Sequence, residues 1–287
     1  MQRFAPAKVN LFLHVGAPAP DGYHPVCSLM AFADAGDTVR LVPGGEGLAV
    51  EGPFAAGLAG EGNNLVLRAR DALLVCAGRT VDFGLVLDKA LPIAAGLGGG
   101  SSDAAAALRL IRDALGLAMD DAGLREIAGT LGADGPACLD ATPVVGTGRG
   151  DLLASAPSFP SLPAVLANPG VASPTGPVYR AYDAAVAREG ANAPDWSEAL
   201  ETPAQVAVFL AGCRNDLEPP AIALAPEIGE CLEALYAHPE PLLARMSGSG
   251  ATCFALCADA AAAATLAERL KAEHPHWWVR ACVIGGR

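Results

Sequence analysis

The chain has 287 residues, of which 52% are hydrophobic and only 17% charged, the balance of a globular protein with room for about two cores. No apolar run approaches the roughly 20 residues that a membrane span needs, and the N-terminus lacks an apolar export segment, so the cytoplasm is the expected location. Thirty-one acidic against nineteen basic residues leave a net charge of −12. That charge disfavours nucleic acid as a partner and requires any phosphate to be met locally by backbone N–H groups, helix N-termini, a few cations or a metal ion.

In chain order, Val9–Val15 and Thr38–Val42 alternate with turn signals and read as strands. Asn63 and Asn64 can cap a helix whose apolar positions Leu65, Ala69, Ala72 and Leu73 recur at helical spacing, and a strand follows over 81–87. Ala104, Ala107, Leu108, Ile111 and Leu115 form the apolar face of the clearest helix, stopped by Gly116. A second, capped by Asp120 or Asp121, runs through Leu131 to Gly132, which leaves Asp134 just past a helix end. A Ser/Pro-rich stretch near 154–163 suggests a boundary between lobes 1–157 and 158–287. The second lobe carries strands at 164–167, 252–257 and 278–284, a polar linker at 190–196, and helices at 203–210, 221–236 and 258–274. The class is α+β. The eight cysteines lack a C-x-x-C pair or close histidine partners and read as reduced, mostly buried thiols.

Chemistry concentrates in the segment from Pro92 to Ala104, through Ala94, Ala95, Gly96, Leu97, Gly98, Gly99, Gly100, Ser101 and Ser102. Glycines let the backbone approach an anion, and the helix N-terminus adds about half a positive charge at the same place. Phosphate fits. A Walker loop is excluded by the missing Gly-Lys-Ser/Thr end and a Rossmann fingerprint by Ser101 at its third glycine. The two serines can also serve as the N-cap of the following helix.

The Pro92–Ser102 segment resembles the second motif of the GHMP kinases. Residues 5–11, Ala-Pro-Ala-Lys-Val-Asn-Leu, resemble their first motif, and Met246–Cys253 their third. Within that superfamily, residues 6–11, Asp21-Gly22-Tyr23-His24, residues 131–134 and Asn215-Asp216-Leu217 resemble the branch that phosphorylates a cytidine diphosphate-linked methylerythritol in non-mevalonate isoprenoid synthesis.

The resemblance implies a ribosomal-protein-S5-like N-terminal lobe on a ferredoxin-like C-terminal lobe, with the active site between them. It implies ATP and Mg²⁺, with Ser102 as a candidate metal contact, and phosphorylation of the acceptor's 2-hydroxyl; homoserine, mevalonate or a sugar is the alternative acceptor. Asp134 would take the hydroxyl proton, with Lys8 beside it. Asn10, Tyr23, His24, Thr175, Tyr179, Gly248 and Ser249 would contact the acceptor, the two tyrosines around cytosine. Two positions depart from the pattern: Met30 stands where an aromatic is common, implying a softer pocket wall, and Gly135 where a β-branched residue is usual, implying a looser catalytic loop. Both a monomer and a homodimer are compatible with these residues.

Overall fold

The structure is a computed structural model that describes residues 1–58, 62–80, 82–184, 190–196 and 200–285. Two long strands open it, β1 (Gln2–Val15) and β2 (Val26–Pro43). Both exceed the short strands expected, because every residue of β1 from Ala5 to Val15 is buried. A strand covered on both faces loses the alternation that marks a half-buried one. β3 (Leu48–Glu51), α1 (Leu65–Ala77) and β4 (Phe83–Asp88) follow. Val81, the expected start of that strand, lies outside the described residues. Then come α2 (Gly99–Leu115), α3 (Asp121–Leu131) and α4 (Gly135–Asp140).

The remaining elements are β5 (Val144–Thr147), β6 (Leu152–Ser155), β7 (Leu162–Asn168), α5 (Thr175–Ala184) and α6 (Pro203–Ala211). After them run α7 (Glu218–Leu224), α8 (Glu227–Tyr236), β8 (Pro241–Met246), β9 (Cys253–Cys257), α9 (Ala260–Glu273) and β10 (Trp278–Ile284). The single helix expected over 221–236 is two helices. Pro226 has no N–H to continue the first and its ring favours a new start.

The caps follow local chemistry. Asn64 accepts the Val66 N–H at 2.9 Å and Asp120 the Gly123 N–H at 2.9 Å, while Gly78 and Gly116 close their helices with φ of 59°. No described helix is long and apolar enough to cross a membrane.

The chain forms two compact units that interleave in sequence. One comprises Met1–Lys8, Gly36–Ile93 and Gly98–Ala141; the other Val9–Ala35, Ala94–Leu97 and Thr142–Arg287. In the first unit the second half of β2 pairs antiparallel with β4, Thr38 opposite Asp88 through Pro43 opposite Phe83, and β3 runs parallel to β4. Helices α1 to α4 pack together, and α2 is buried from Ser102 to Leu108. Alanines at 104–107 let its neighbours approach closely, which explains how a helix with so small a side-chain volume lies so deep.

In the second unit β7 is central, paired antiparallel with β10 and with β9, and β9 pairs with β8. The first half of β2 pairs with β5, which returns as β6. Helices α8 and α9 cover this sheet through Ile228, Cys231, Leu235, Leu266 and Leu270. Each leucine so buried contributes about 1.5–3 kcal/mol relative to exposure.

Seven of the eight cysteines are buried and Cys76 is exposed. Burial, with the nearby Asp134 charge adding, pushes the Cys138 thiol up to about 12, and burial takes Cys257 to about 11. Iodoacetamide applied to the native protein should therefore alkylate Cys76 alone. Peptide mapping by mass spectrometry checks this, and carbamidomethyl-Cys138 before unfolding would contradict the packing.

Candidate active site

In the first unit the glycine segment becomes the opening turn of α2. Gly98 is the N-cap, held at φ 60° and ψ 20° without a side-chain cap, and the Ser102 N–H donates to the Gly98 carbonyl at 2.9 Å. The expectation that Ser101 or Ser102 caps the helix is corrected. The left-handed Gly98 starts the helix earlier, so both serines lie inside its first turns. The N–H groups of Gly99, Gly100 and Ser101 precede the first intrahelical bond and point with the positive end of the helix dipole. Such donors can cradle an anion.

Lys8 and Asp134 flank this turn. Lys8 is 5% exposed, and its Nζ lies 3.1 Å from Asp134 Oδ2. A Cβ on Gly98 would stand 3.0 Å from Lys8 Cε and 3.7 Å from Asp134 Oδ2, so only glycine lets the backbone pass the ion pair this closely. Asp134 is the N-cap residue of α4 but makes no side-chain cap, which leaves its carboxylate to Lys8 and to solvent. Gly135 does not loosen the loop. It is buried as the first residue of α4, and a Cβ there would meet the Ala128 carbonyl at 2.2 Å, so its small size seats Asp134 against α3.

Beneath the same turn lies a buried triad that sequence reasoning missed. Lys89 Nζ donates to Asp37 Oδ2 at 2.5 Å and to Asp103 Oδ2 at 2.9 Å, and Asp37 Oδ1 accepts the N–H groups of Ala90 and Leu91 at 2.7 and 2.8 Å. Burial opposes the Lys89 charge, yet Asp103 and Asp37 hold its pKa above the ordinary value. Burial pushes the Asp103 carboxyl up, with Lys89 opposing and Asp37 reinforcing. Ser102 is 1% exposed; its Oγ lies beside the Cys138 thiol, a weak partner, and otherwise has no hydrogen-bond partner among the described residues.

The second unit holds the rest of the glycine segment and the third motif. Gly96, at φ 74°, passes so close to the 247–250 turn that a Cβ would meet the Ser247 carbonyl at 2.2 Å. Ser247 Oγ donates to the Gly96 carbonyl at 2.9 Å and accepts the Asn10 N–H at 3.1 Å. Asn10 Nδ2 donates to Ser28 Oγ at 2.7 Å, and Asn215 Nδ2 donates to the carbonyls of Met246 and Gly248, both at 2.8 Å. The Thr175 and Ser249 hydroxyls are 3.0 Å apart. Asn10, Thr175, Gly248 and Ser249 are thus linked through one hydrogen-bonded turn, with Ala95 joined to it by the Thr252 N–H at 3.1 Å. Ala94 carries a positive φ of 50°, Leu97 is buried, and Pro92, in the first unit, is buried as well.

The aromatic residues gather in the same unit. His24 is buried; its Nδ1 donates to the Gly16 carbonyl at 2.9 Å and its Nε2 stands 3.3 Å from Asp183 Oδ1. Its ring lies 5.0 Å from that of Tyr179 and 5.6 Å from that of Tyr182. Tyr23 is 57% exposed, with the Arg149 guanidinium 3.9 Å over its ring and paired to Asp21. Met30 is buried against Gly146 rather than standing at a pocket wall. Tyr182 and Asp183 escaped sequence reasoning because α5 begins Thr-Gly-Pro and reads as a turn.

The family model described as GHMP kinases N terminal domain matches residues 64–146, and that described as GHMP kinases C terminal matches 203–276. A 4-diphosphocytidyl-2-C-methyl-D-erythritol kinase of Caulobacter sp. (strain K31) is 57% identical, over 100% of this chain and 99% of its own. One of Xanthobacter autotrophicus (strain ATCC BAA-1158 / Py2) is 48% identical over 99% of each. The crystal structure of a 4-(cytidine 5'-diphospho)-2C-methyl-D-erythritol kinase aligns over 100% of both chains with a TM-score of 0.81 at 35% identity. The L. major mevalonate kinase, solved with R-mevalonate, aligns over 99% of this chain and 96% of its own with a TM-score of 0.70 at 15% identity, a likeness of fold alone.

The two glycine environments predict different responses to a methyl group. Gly96→Ala forces a left-handed alanine, roughly 1–3 kcal/mol, into a backbone carbonyl, and should lower Tm by several degrees at about 2–4 °C per kcal/mol. Gly100→Ala meets only the Leu65 side chain, at 3.2 Å, and should leave Tm nearly unchanged. Scanning calorimetry on both variants checks the contrast; equal melting temperatures would contradict it.

Proposed function

Because this chain belongs to the 4-diphosphocytidyl-2-C-methyl-D-erythritol kinase family of the GHMP kinases, and so is an ATP-using kinase of the isoprenoid pathway, we propose how its own residues carry the transfer. Asp134 takes the proton of the acceptor's 2-hydroxyl as that oxygen attacks the γ-phosphorus of ATP. A new P–O bond forms, the bond between the γ-phosphorus and its bridging oxygen breaks, and ADP leaves with the electron pair. The observation that carries this reading is the Lys8–Asp134 pair at 3.1 Å against Gly98, at the entrance of the cradle. Lys8 orients the carboxylate, and its charge favours the alkoxide that forms.

The N–H groups of Gly99, Gly100 and Ser101 receive phosphate oxygens, and the segment 92–102 as a whole is the proposed ATP site. Mg²⁺ fits the donor set in a limited way. The weakly partnered Ser102 Oγ can supply one protein oxygen, while no group of three or more His, Cys, Asp or Glu among the described residues could hold a metal, so phosphate and water oxygens would supply the other ligands. When bound, such an ion neutralises phosphate charge.

For the acceptor, Tyr23 and Tyr179 supply aromatic faces for cytosine. The His24 nitrogens already face Gly16 and Asp183, so we assign base-edge reading to main-chain groups of this segment and a packing role to the imidazole. Asn10, Thr175, Gly248 and Ser249 present amide, hydroxyl and backbone groups to the rest of the acceptor. The same reading includes a cytoplasmic location and no nucleic-acid partner, in keeping with the net charge of −12.

Purified protein should release ADP in a coupled assay only when the cytidylylated acceptor is present; homoserine and mevalonate should give none. Asp134→Asn should lower kcat by about 10²–10⁴ while the Kd of a non-hydrolysable ATP analogue stays within about twofold. Unchanged kcat would remove the base assignment.

A further inference from the structure

The Asp37–Lys89–Asp103 triad takes no part in the proton transfer, and its placement runs against local electrostatics. An ammonium under a helix N-terminus is unfavourable, since both are positive. Yet Lys89 is 3% exposed, and a Cβ on Gly99, the first residue of α2, would stand 3.0 Å from its Nζ. Glycine at 99 lets the helix start lie directly on the charge. Asp103, on the second turn of the same helix, is 2% exposed, and its Oδ1 has no hydrogen-bond partner among the described residues. Asp37, by contrast, accepts one ammonium and two backbone N–H groups. The Asp37 and Lys89 charges cancel within this set, so the incompletely satisfied Asp103, whose carboxyl burial pushes up to about 7, carries the surplus negative charge above that pH. It does so in the one helix whose N–H groups would receive the polyphosphate.

We propose that Lys89 and Asp103 are positioning residues for the nucleotide. The Lys89 ammonium fixes the first turn of α2 from below and masks the Asp103 carboxylate, and the charge balance of the triad sets how tightly the Gly99–Ser101 turn holds the phosphates of ATP. This inference rests on the assignment of ATP to the glycine segment. It adds that the cradle's affinity is set from beneath, by groups that never touch the ligand. A purely structural triad would lose function with any change. An electrostatic one responds with opposite signs to the removal of its cation and of its surplus anion.

The test is calorimetric titration of the full chain with a non-hydrolysable ATP analogue at a pH about one unit above 7, where the Asp103 carboxyl is ionised, with the acceptor KM measured in parallel. Lys89→Met, which keeps length and removes charge, should weaken analogue binding by about tenfold or more. Asp103→Asn, which keeps an acceptor oxygen for Lys89, should tighten binding by about threefold. The double variant should recover to within about threefold of wild type, because Lys89→Met harms mainly by unmasking Asp103. The acceptor KM should stay unchanged throughout. Unchanged or weaker binding by Asp103→Asn overturns the proposal, and does so even if Lys89→Met fails to fold. A double variant no better than Lys89→Met also overturns it. Wild-type protein that does not bind the analogue would overturn the ATP assignment and the inference with it, an outcome distinct from normal wild-type binding with the wrong variant signs.

Discussion

Three backbone N–H groups at the start of α2 have no helix carbonyl behind them, and the first unit is arranged around leaving them available. A helix normally disposes of such donors with a capping side chain. Here Gly98 occupies the cap position with a left-handed backbone and no side chain to accept from them. That choice determines what can stand nearby: Lys8 and Asp134 on the side where Gly98 lacks a side chain, and Lys89 where Gly99 lacks one. The alanines that follow keep α2 thin enough for α1, α3 and α4 to close around it.

The second unit answers a different demand, that of holding an irregular turn in one conformation. The 247–250 segment is pinned through the Asn215 amide, the Ser247 hydroxyl and the Gly96 carbonyl. Asn215 accepts the Leu217 N–H at 3.0 Å and so is itself fixed by the first turn of the following segment. Buried amides with every group partnered specify a conformation more sharply than apolar contacts do. The Asn-Asp-Leu motif therefore acts on the turn and need not reach a ligand to matter.

Local chemistry made much of this legible from the residues alone. Asn64, Asp120, Gly78 and Gly116 set helix ends by short-range capping, and the four glycines of 96–100 mark the close backbone approaches found at Gly96, Gly98 and Gly99. Three motifs in order carried the α+β GHMP architecture, which the family matches and full-length structural alignment bear out. The triad stayed hidden because Asp37, Lys89 and Asp103 are 52 and 14 residues apart, and isolated charges in a sequence look solvated. The break at Pro226 and the short helices α4 and α5 were obscured by Gly and Pro in their first turns, which mimic loop composition. The interleaving of the two units is a property of chain path, and no window of sequence displays it.

The distribution of charge has a kinetic side. Lys8, Lys89 and Arg245 are all less than 9% exposed, so three of the nineteen basic groups are withdrawn from a surface already rich in acids. A polyanion at a distance meets repulsion, and attraction begins only at contact. Long-range steering, which speeds the encounter of oppositely charged partners, works here in reverse. The encounter is favoured by whatever neutralises the nucleotide beforehand, so ionic strength and divalent counter-ions bear on how often ATP arrives.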